Sequence, residues 1–172
     1  MTPTSQIFRG RSAAKIVALA TACFLGLGAV STVAVADGNP FATLVGAWSG
    51  NGTVTYASGT KERLRCKVNY DQNASDSITQ QLRCASDSYK FQINAYYRHT
   101  ETTLTGHWDE LVLQVSGSIS GSVAPTGKIT GALHGPGFQA NVLVDTQGDE
   151  QKVSISAENQ EIRQVDVSVR RN

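Results

Sequence analysis

The sequence predicts an all-β fold, a single antiparallel up-and-down barrel of eight to ten strands spanning residues 37–172. Three observations lead there. Beyond residue 36 apolar side chains recur at every second position, and no window carries a convincing helical period. The alternating runs are separated by clusters of Gly, Asn, Asp and Ser, as hairpin turns require. Finally, the runs are many for about 130 residues and their connections short, so a sheet of antiparallel neighbours removes its edges by closing on itself.

Taken in order, the first strand places Trp48, Val54 and Tyr56 on one face and Ser49, Thr53 and Thr55 on the other. Leu64, Cys66, Val68 and Tyr70 form the next apolar face, followed by Ile78, Leu82 and Cys84. Tyr89, Phe91, Ile93, Ala95 and Tyr97 then alternate with Lys90, Gln92, Asn94 and Arg98. Leu104 and Trp108 share one parity while Leu111, Leu113 and Val115 take the other, which predicts a bulge at Asp109-Glu110. Ile119 with Val123, Ile129 with Leu133, and Phe138 with Ala140, Val142 and Val144 continue the pattern. Val153 with Ile155, then Val165, Val167 and Val169, complete it. The glycine-rich middle, SGSISGSV and GKITGALHGPGF, reads as strongly curved wall, because apolar residues are still interleaved with the glycines.

Residues 1–36 read as a signal peptide. Arg9, Arg11 and Lys15 precede a charge-free apolar stretch, Ile16 to Val30, and Ala34-Val35-Ala36 offers a small–x–small cleavage site after Ala36. The apolar stretch is shorter than the roughly 20 residues a spanning helix needs. A Sec-type leader and a periplasmic destination are therefore expected. All 14 acidic residues lie at or after Asp37 and three of the 15 basic residues lie before it. The remainder carries 12 basic against 14 acidic groups, a net charge of −2 that argues against a nucleic-acid partner.

Only Cys66 and Cys84 remain beyond the leader, an even count suited to an oxidising compartment. A hairpin turning at Asn73-Ala74-Ser75-Asp76 sets Tyr70 opposite Gln80, Val68 opposite Leu82 and Cys66 opposite Cys84. The register predicts a disulfide, which in the chain-entropy model stabilises by ~3 kcal/mol. Two thiols without a Cys-x-x-Cys or a nearby histidine make a poor zinc site.

Gly46-Ala47-Trp48 at the first strand and Arg170-Arg171 at the last, in this strand pattern, resemble the calycin group of lipocalins, avidins and small bacterial metalloprotease inhibitors. The chain as a whole is similar to small exported proteins of alphaproteobacteria. The resemblance implies that Trp48 closes one end of the barrel and that Arg171 lies across it. Arg171 has the parity of Val165, Val167 and Val169, and an even strand number brings it beside Trp48. Such a cation–π contact contributes ~0.5–2 kcal/mol. The protease inhibitors act through an extended N-terminal trunk, for which this chain offers Asp37 to Leu44.

No catalytic constellation, cofactor motif or metal site is evident. His99, His107 and His134 lack the spacing of a zinc motif, and no Gly-x-Ser-x-Gly elbow occurs. His107 adjoins Trp108 and so faces the opposite side of its strand; a haem or metal ligand is the competing reading for it. Asp109 and Glu110 point apart on a regular strand. The candidate ligand-binding wall is Tyr56, Tyr70, Phe91, Tyr97, Trp108 and Phe138, which suits a small apolar or amphipathic ligand or a packed core. The candidate surface is a basic row of Lys61, Arg63, Arg65 and Lys67, joined by Arg83 in the hairpin register. The expectation is a non-enzymatic periplasmic barrel that binds a small ligand or serves as an envelope accessory. The alternative is a surface-acting interaction module or protease-inhibitor-like protein.

Overall fold

A computed structural model describes residues 39–124 and 126–172. The proposed leader and its cleavage site lie outside the described residues. Ten strands follow one another: β1 (Gly46–Tyr56), β2 (Lys61–Ala74), β3 (Ser77–Ala85), β4 (Lys90–Thr100), β5 (Thr103–Glu110), β6 (Val115–Val123), β7 (Ile129–Gly135), β8 (Phe138–Gln147), β9 (Glu150–Ser156) and β10 (Ile162–Arg171). Each pairs antiparallel with its sequence neighbour, and β1 pairs with β10, so the sheet closes. The closed antiparallel barrel read from alternation is the fold. Among the described residues no helix is long and apolar enough to cross a membrane.

Alternation sets which side chains point inward. On β1 and β2 these are the even-numbered residues, with Trp48, Val54, Leu64, Cys66, Val68 and Tyr70 buried. The β2–β3 ladder pairs Tyr70 with Gln80, Val68 with Leu82 and Cys66 with Cys84. The sulfurs are bonded, with Cα atoms 4.1 Å apart, and both cysteines are buried within the barrel. Period-two patterning plus one turn is enough to fix such a register, because a one-residue slip would turn every apolar side chain outward.

Two expectations are corrected. The bulge at Asp109-Glu110 does not form. Instead β5 ends at Glu110, residues 111–114 turn, and β6 begins at Val115. The parity change comes from this turn, in which Gln114 takes a positive φ of 56°. Leu111 and Leu113, expected on an inner face, are exposed. Tyr89 was likewise expected to point inward, but it lies before β4 on the β3–β4 turn and is exposed.

Glycine shapes the wall where two aromatic rings lie against it. A Cβ on Gly117 would sit 1.9 Å from the His134 carbonyl oxygen and 2.5 Å from the Trp108 ring. A Cβ on Gly135 would meet the Phe138 ring at 2.2 Å. These glycines let β6 and β7 pass close behind the pair Trp108 and Phe138.

Candidate functional site

The two ends of the barrel are built differently, and the candidate residues divide between them. One end is plugged. Residues 40–44 make a turn beneath β1, with Phe41 and Leu44 buried among the core residues. Trp48 is fully buried, and its indole Nε1 donates to the Leu44 carbonyl at 2.7 Å. The guanidinium of Arg171, opposite Trp48 in the β1–β10 register, lies 4.2 Å from the indole centroid. Its nitrogens also donate to the carbonyls of Val45 and Thr43 and to the Asp149 carboxylate. A planar guanidinium suits this position because it stacks and donates at once.

Just inside the plug a polar network crosses the lumen. The Tyr70 hydroxyl donates to Gln151 Oε1 at 3.1 Å, and Gln80 Nε2 donates to the Tyr70 oxygen at 3.3 Å. Tyr97 donates to Gln80 Oε1, and Gln151 Nε2 donates to Thr146 Oγ1 at 3.1 Å. Burial pushes both phenols above their ordinary pKa, so both stay neutral donors. Tyr70 and Tyr97, grouped from the sequence with the ligand wall, therefore lie toward the plug, Tyr70 buried and Tyr97 half-buried. Their hydroxyls serve each other's neighbours rather than an opening.

The opposite end is a mouth. Tyr56, Phe91 and Phe138 point inward there and remain half-buried, with Trp108 deeper and nearly buried. Trp108 donates from its indole nitrogen to the Ser118 carbonyl at 3.2 Å and tilts against Phe138, 5.8 Å between centroids. Tyr89 stacks on Phe91 at 6.1 Å and approaches Tyr56 at 6.2 Å, so three rings run along the rim. Two carboxylates brace the turns. Glu62 accepts from the Ser88 amide at 2.7 Å and from the Tyr56 hydroxyl at 2.9 Å. Hydrogen bonds from Ser86, the Ser88 amide and Tyr56 hold Glu62 down to about 2. Partial burial and that carboxylate push the Tyr56 phenol up to about 12. Glu110 is buried, which works against its charge. Amides of Gln92, Leu113 and Val112 outweigh that and keep its pKa below the ordinary value.

Two large concavities lie on the outer wall. A groove of about 930 Å³ crosses the outer faces of β8, β9, β10, β1 and β2, with charges of both signs from Arg63, Arg65, Lys152, Asp145 and Asp166. A second, of about 810 Å³, is lined by Arg65, Lys67, Arg83 and Lys90, with Arg170 and Arg171 at one side and Val112 at another. Lys61, Arg63, Arg65, Lys67 and Arg83 are all exposed on the outer face, and Lys67 stands directly opposite Arg83. Lys61 lines neither groove.

The histidines stay apart. His107 is exposed and stacks on Tyr96 outside the barrel, 5.6 Å between centroids, and His134 pairs with Ser118 at an outward position. His99 meets Phe41 edge-on at the plugged end. Among the described residues no three ligating side chains cluster as a metal site. Asp109 is exposed and Glu110 buried, so these neighbours do not converge. Sequence reasoning missed the two carboxylate braces and the Phe41–Leu44 plug. The bracing amides of Ser88 and Gln92 lie 26 and 18 residues from their carboxylates, beyond any local pattern.

This architecture has known counterparts. The protein Rv2717c from M. tuberculosis superposes with a TM-score of 0.64 over 77% of this chain and 94% of its own, at 14% identity. The S-type phycobiliprotein lyase CPES from Guillardia theta gives a TM-score of 0.54 over 77% of this chain and 90% of its own, at 13% identity. The likeness is one of fold. It agrees with a calycin-like barrel. No protein-family model matches the sequence, and no curated protein does.

Proposed function

We propose that this protein is a non-enzymatic binding barrel that admits a small apolar or amphipathic ligand at the mouth opposite the Trp48–Arg171 plug. One observation carries the reading. Inward-pointing Tyr56, Phe91 and Phe138 at the mouth stay half-buried, whereas Phe41, Leu44, Trp48, Tyr70, Leu104 and Gln151 of the plugged half are buried. Apolar surface that faces inward yet meets solvent is surface a ligand can cover. Phe91, Trp108 and Phe138 offer ring faces to such a ligand. The disulfide and the leader-like N-terminal sequence support an exported, periplasmic protein acting as a carrier or envelope accessory.

A surface-acting module is the second reading, favoured by the outer position of both large grooves. Its protease-inhibitor form has less support, since Phe41 and Leu44 of the would-be trunk are buried in the plug. Titration with the apolar dye anilinonaphthalene sulfonate, followed by native mass spectrometry, separates the two. Saturable dye binding weakened about tenfold or more by Trp108→Ala is expected for a buried aromatic contact worth over 1.4 kcal/mol. A protein that binds no dye and flies empty would leave only the surface reading.

A further inference from the structure

Four of the five large apolar side chains exposed among the described residues sit on two turns at the mouth. Tyr89 is 40% exposed on the β3–β4 turn, and Leu111, Val112 and Leu113 are 44%, 53% and 67% exposed on the β5–β6 turn. These turns flank β4 and are neighbours in the barrel. The second is not loose. Leu111 donates to the Gln92 carbonyl at 2.8 Å, and the Glu110 carboxylate accepts from the Gln92 and Leu113 amides. A buried acid thus holds three consecutive aliphatic side chains out into solvent, where nothing in the barrel covers them. Runs of exposed apolar residues are otherwise avoided on soluble surfaces.

The basic groove begins at that tip. Val112 lines it together with Lys90, Arg83, Arg65 and Lys67, and no Asp or Glu does. The described residues form three ion pairs, Arg98–Asp76, Arg170–Glu150 and Arg171–Asp149, so these four cations have no acidic partner among them. Lys67 and Arg83 oppose each other across the β2–β3 ladder, a like-charge pairing that costs stability unless an external anion relieves it. The chain beyond residue 36 carries net negative charge, so this patch is a local concentration rather than a reflection of composition.

We propose that the mouth docks on an anionic lipid bilayer, with Leu111, Val112 and Leu113 entering the headgroup–acyl boundary beside Tyr89 and the cations meeting lipid phosphates. A soluble polyanion would use the cations but gain nothing from the aliphatic tip; a bilayer uses both. This docking does not depend on the lumen holding a ligand, and it aims the mouth at the lipid whether or not it does.

Vesicle flotation tests it, using phosphatidylglycerol–phosphatidylethanolamine vesicles against neutral phosphatidylcholine. The wild-type protein should float with the anionic vesicles, less so as salt rises. The double charge reversal Arg83→Glu/Lys90→Glu should weaken binding about tenfold or more. Leu113→Asp should weaken it comparably, with Leu113→Ser standing in should the aspartate variant not fold. Near-ultraviolet circular dichroism checks each fold. Wild-type protein left in solution with anionic vesicles would overturn the proposal, as would equal binding to neutral ones. Flotation or heparin binding that needs Arg83 and Lys90 but ignores Leu113 would also overturn it, and would assign the groove to a soluble polyanion.

Discussion

The plugged end and the mouth are made of the same strands, yet one is finished and the other is not. At the plug the buried polar side chains have partners within the chain. Trp48 donates to Leu44, Arg171 serves Val45, Thr43 and Asp149, and Tyr70, Gln80, Tyr97, Gln151 and Thr146 satisfy one another. At the mouth the braces are equally definite, but what they hold up is unfinished apolar surface: half-buried rings inside and an aliphatic tip outside. The difference separates stability from function. A core residue that needs nothing more contributes to folding alone, whereas a rigidly presented, uncovered one is available to a partner.

That contrast can be broken by mutation. The largest effect is expected for Trp48→Ala, which opens a cavity under Arg171 and removes the indole donor; it should cost about 3–5 kcal/mol. Urea denaturation of this variant and of half-buried Phe91→Ala compares the two ends directly. Equal losses would mean that the mouth is as tightly packed as the plug. Next comes Gln151→Leu, which strands the Tyr70 hydroxyl and Thr146 at a cost of ~1–3 kcal/mol, readable as a shift in the same midpoint with unchanged slope.

The smallest effect should be local and pH-dependent. Glu62 is held at about 2, below its ordinary 4.5, so its hold on the Ser86–Tyr89 turn is fully present above about 4.5. It should weaken as pH falls through that range toward 2. The protection of the Ser88 amide against exchange, relative to its intrinsic rate at each pH, should therefore fall in acid before that of the core does, and Glu62→Gln should remove the difference. Exchange at Ser88 that stays in step with the core down to pH ~2 would count against the latch.

Much of this was legible in the sequence, but in one direction only. Alternation assigns each side chain a face, so Cys66 opposite Cys84 follows from parity and a single turn, and the closing of the sheet from the number of strands and their short connections. Alternation does not say how far along the barrel axis a residue sits. Tyr70 and Tyr97 share the inward face with Phe91 and Phe138, yet lie at the other end: Tyr97 stands six residues after Phe91 on β4, a distance along the strand that parity does not register. The β5–β6 turn was misread for a related reason. Leu111, Leu113 and Val115 keep strand parity, and the feature that breaks the strand is a carboxylate pointing back to Gln92. Phe41 and Leu44 belong to a turn too short to show any period.

One seam carries a consequence for the order of assembly. Hairpins from β1–β2 to β9–β10 join sequence neighbours, so each can pair without waiting for the rest of the chain. The β1–β10 seam joins strands more than a hundred residues apart, and the contact of Arg171 with Trp48 lies on it. Until β10 arrives, nine strands can be in place while the indole at the base of the ring is still wet. Closure is thus the slow, non-local step, and the lid on Trp48 is among the last things such a chain can put on.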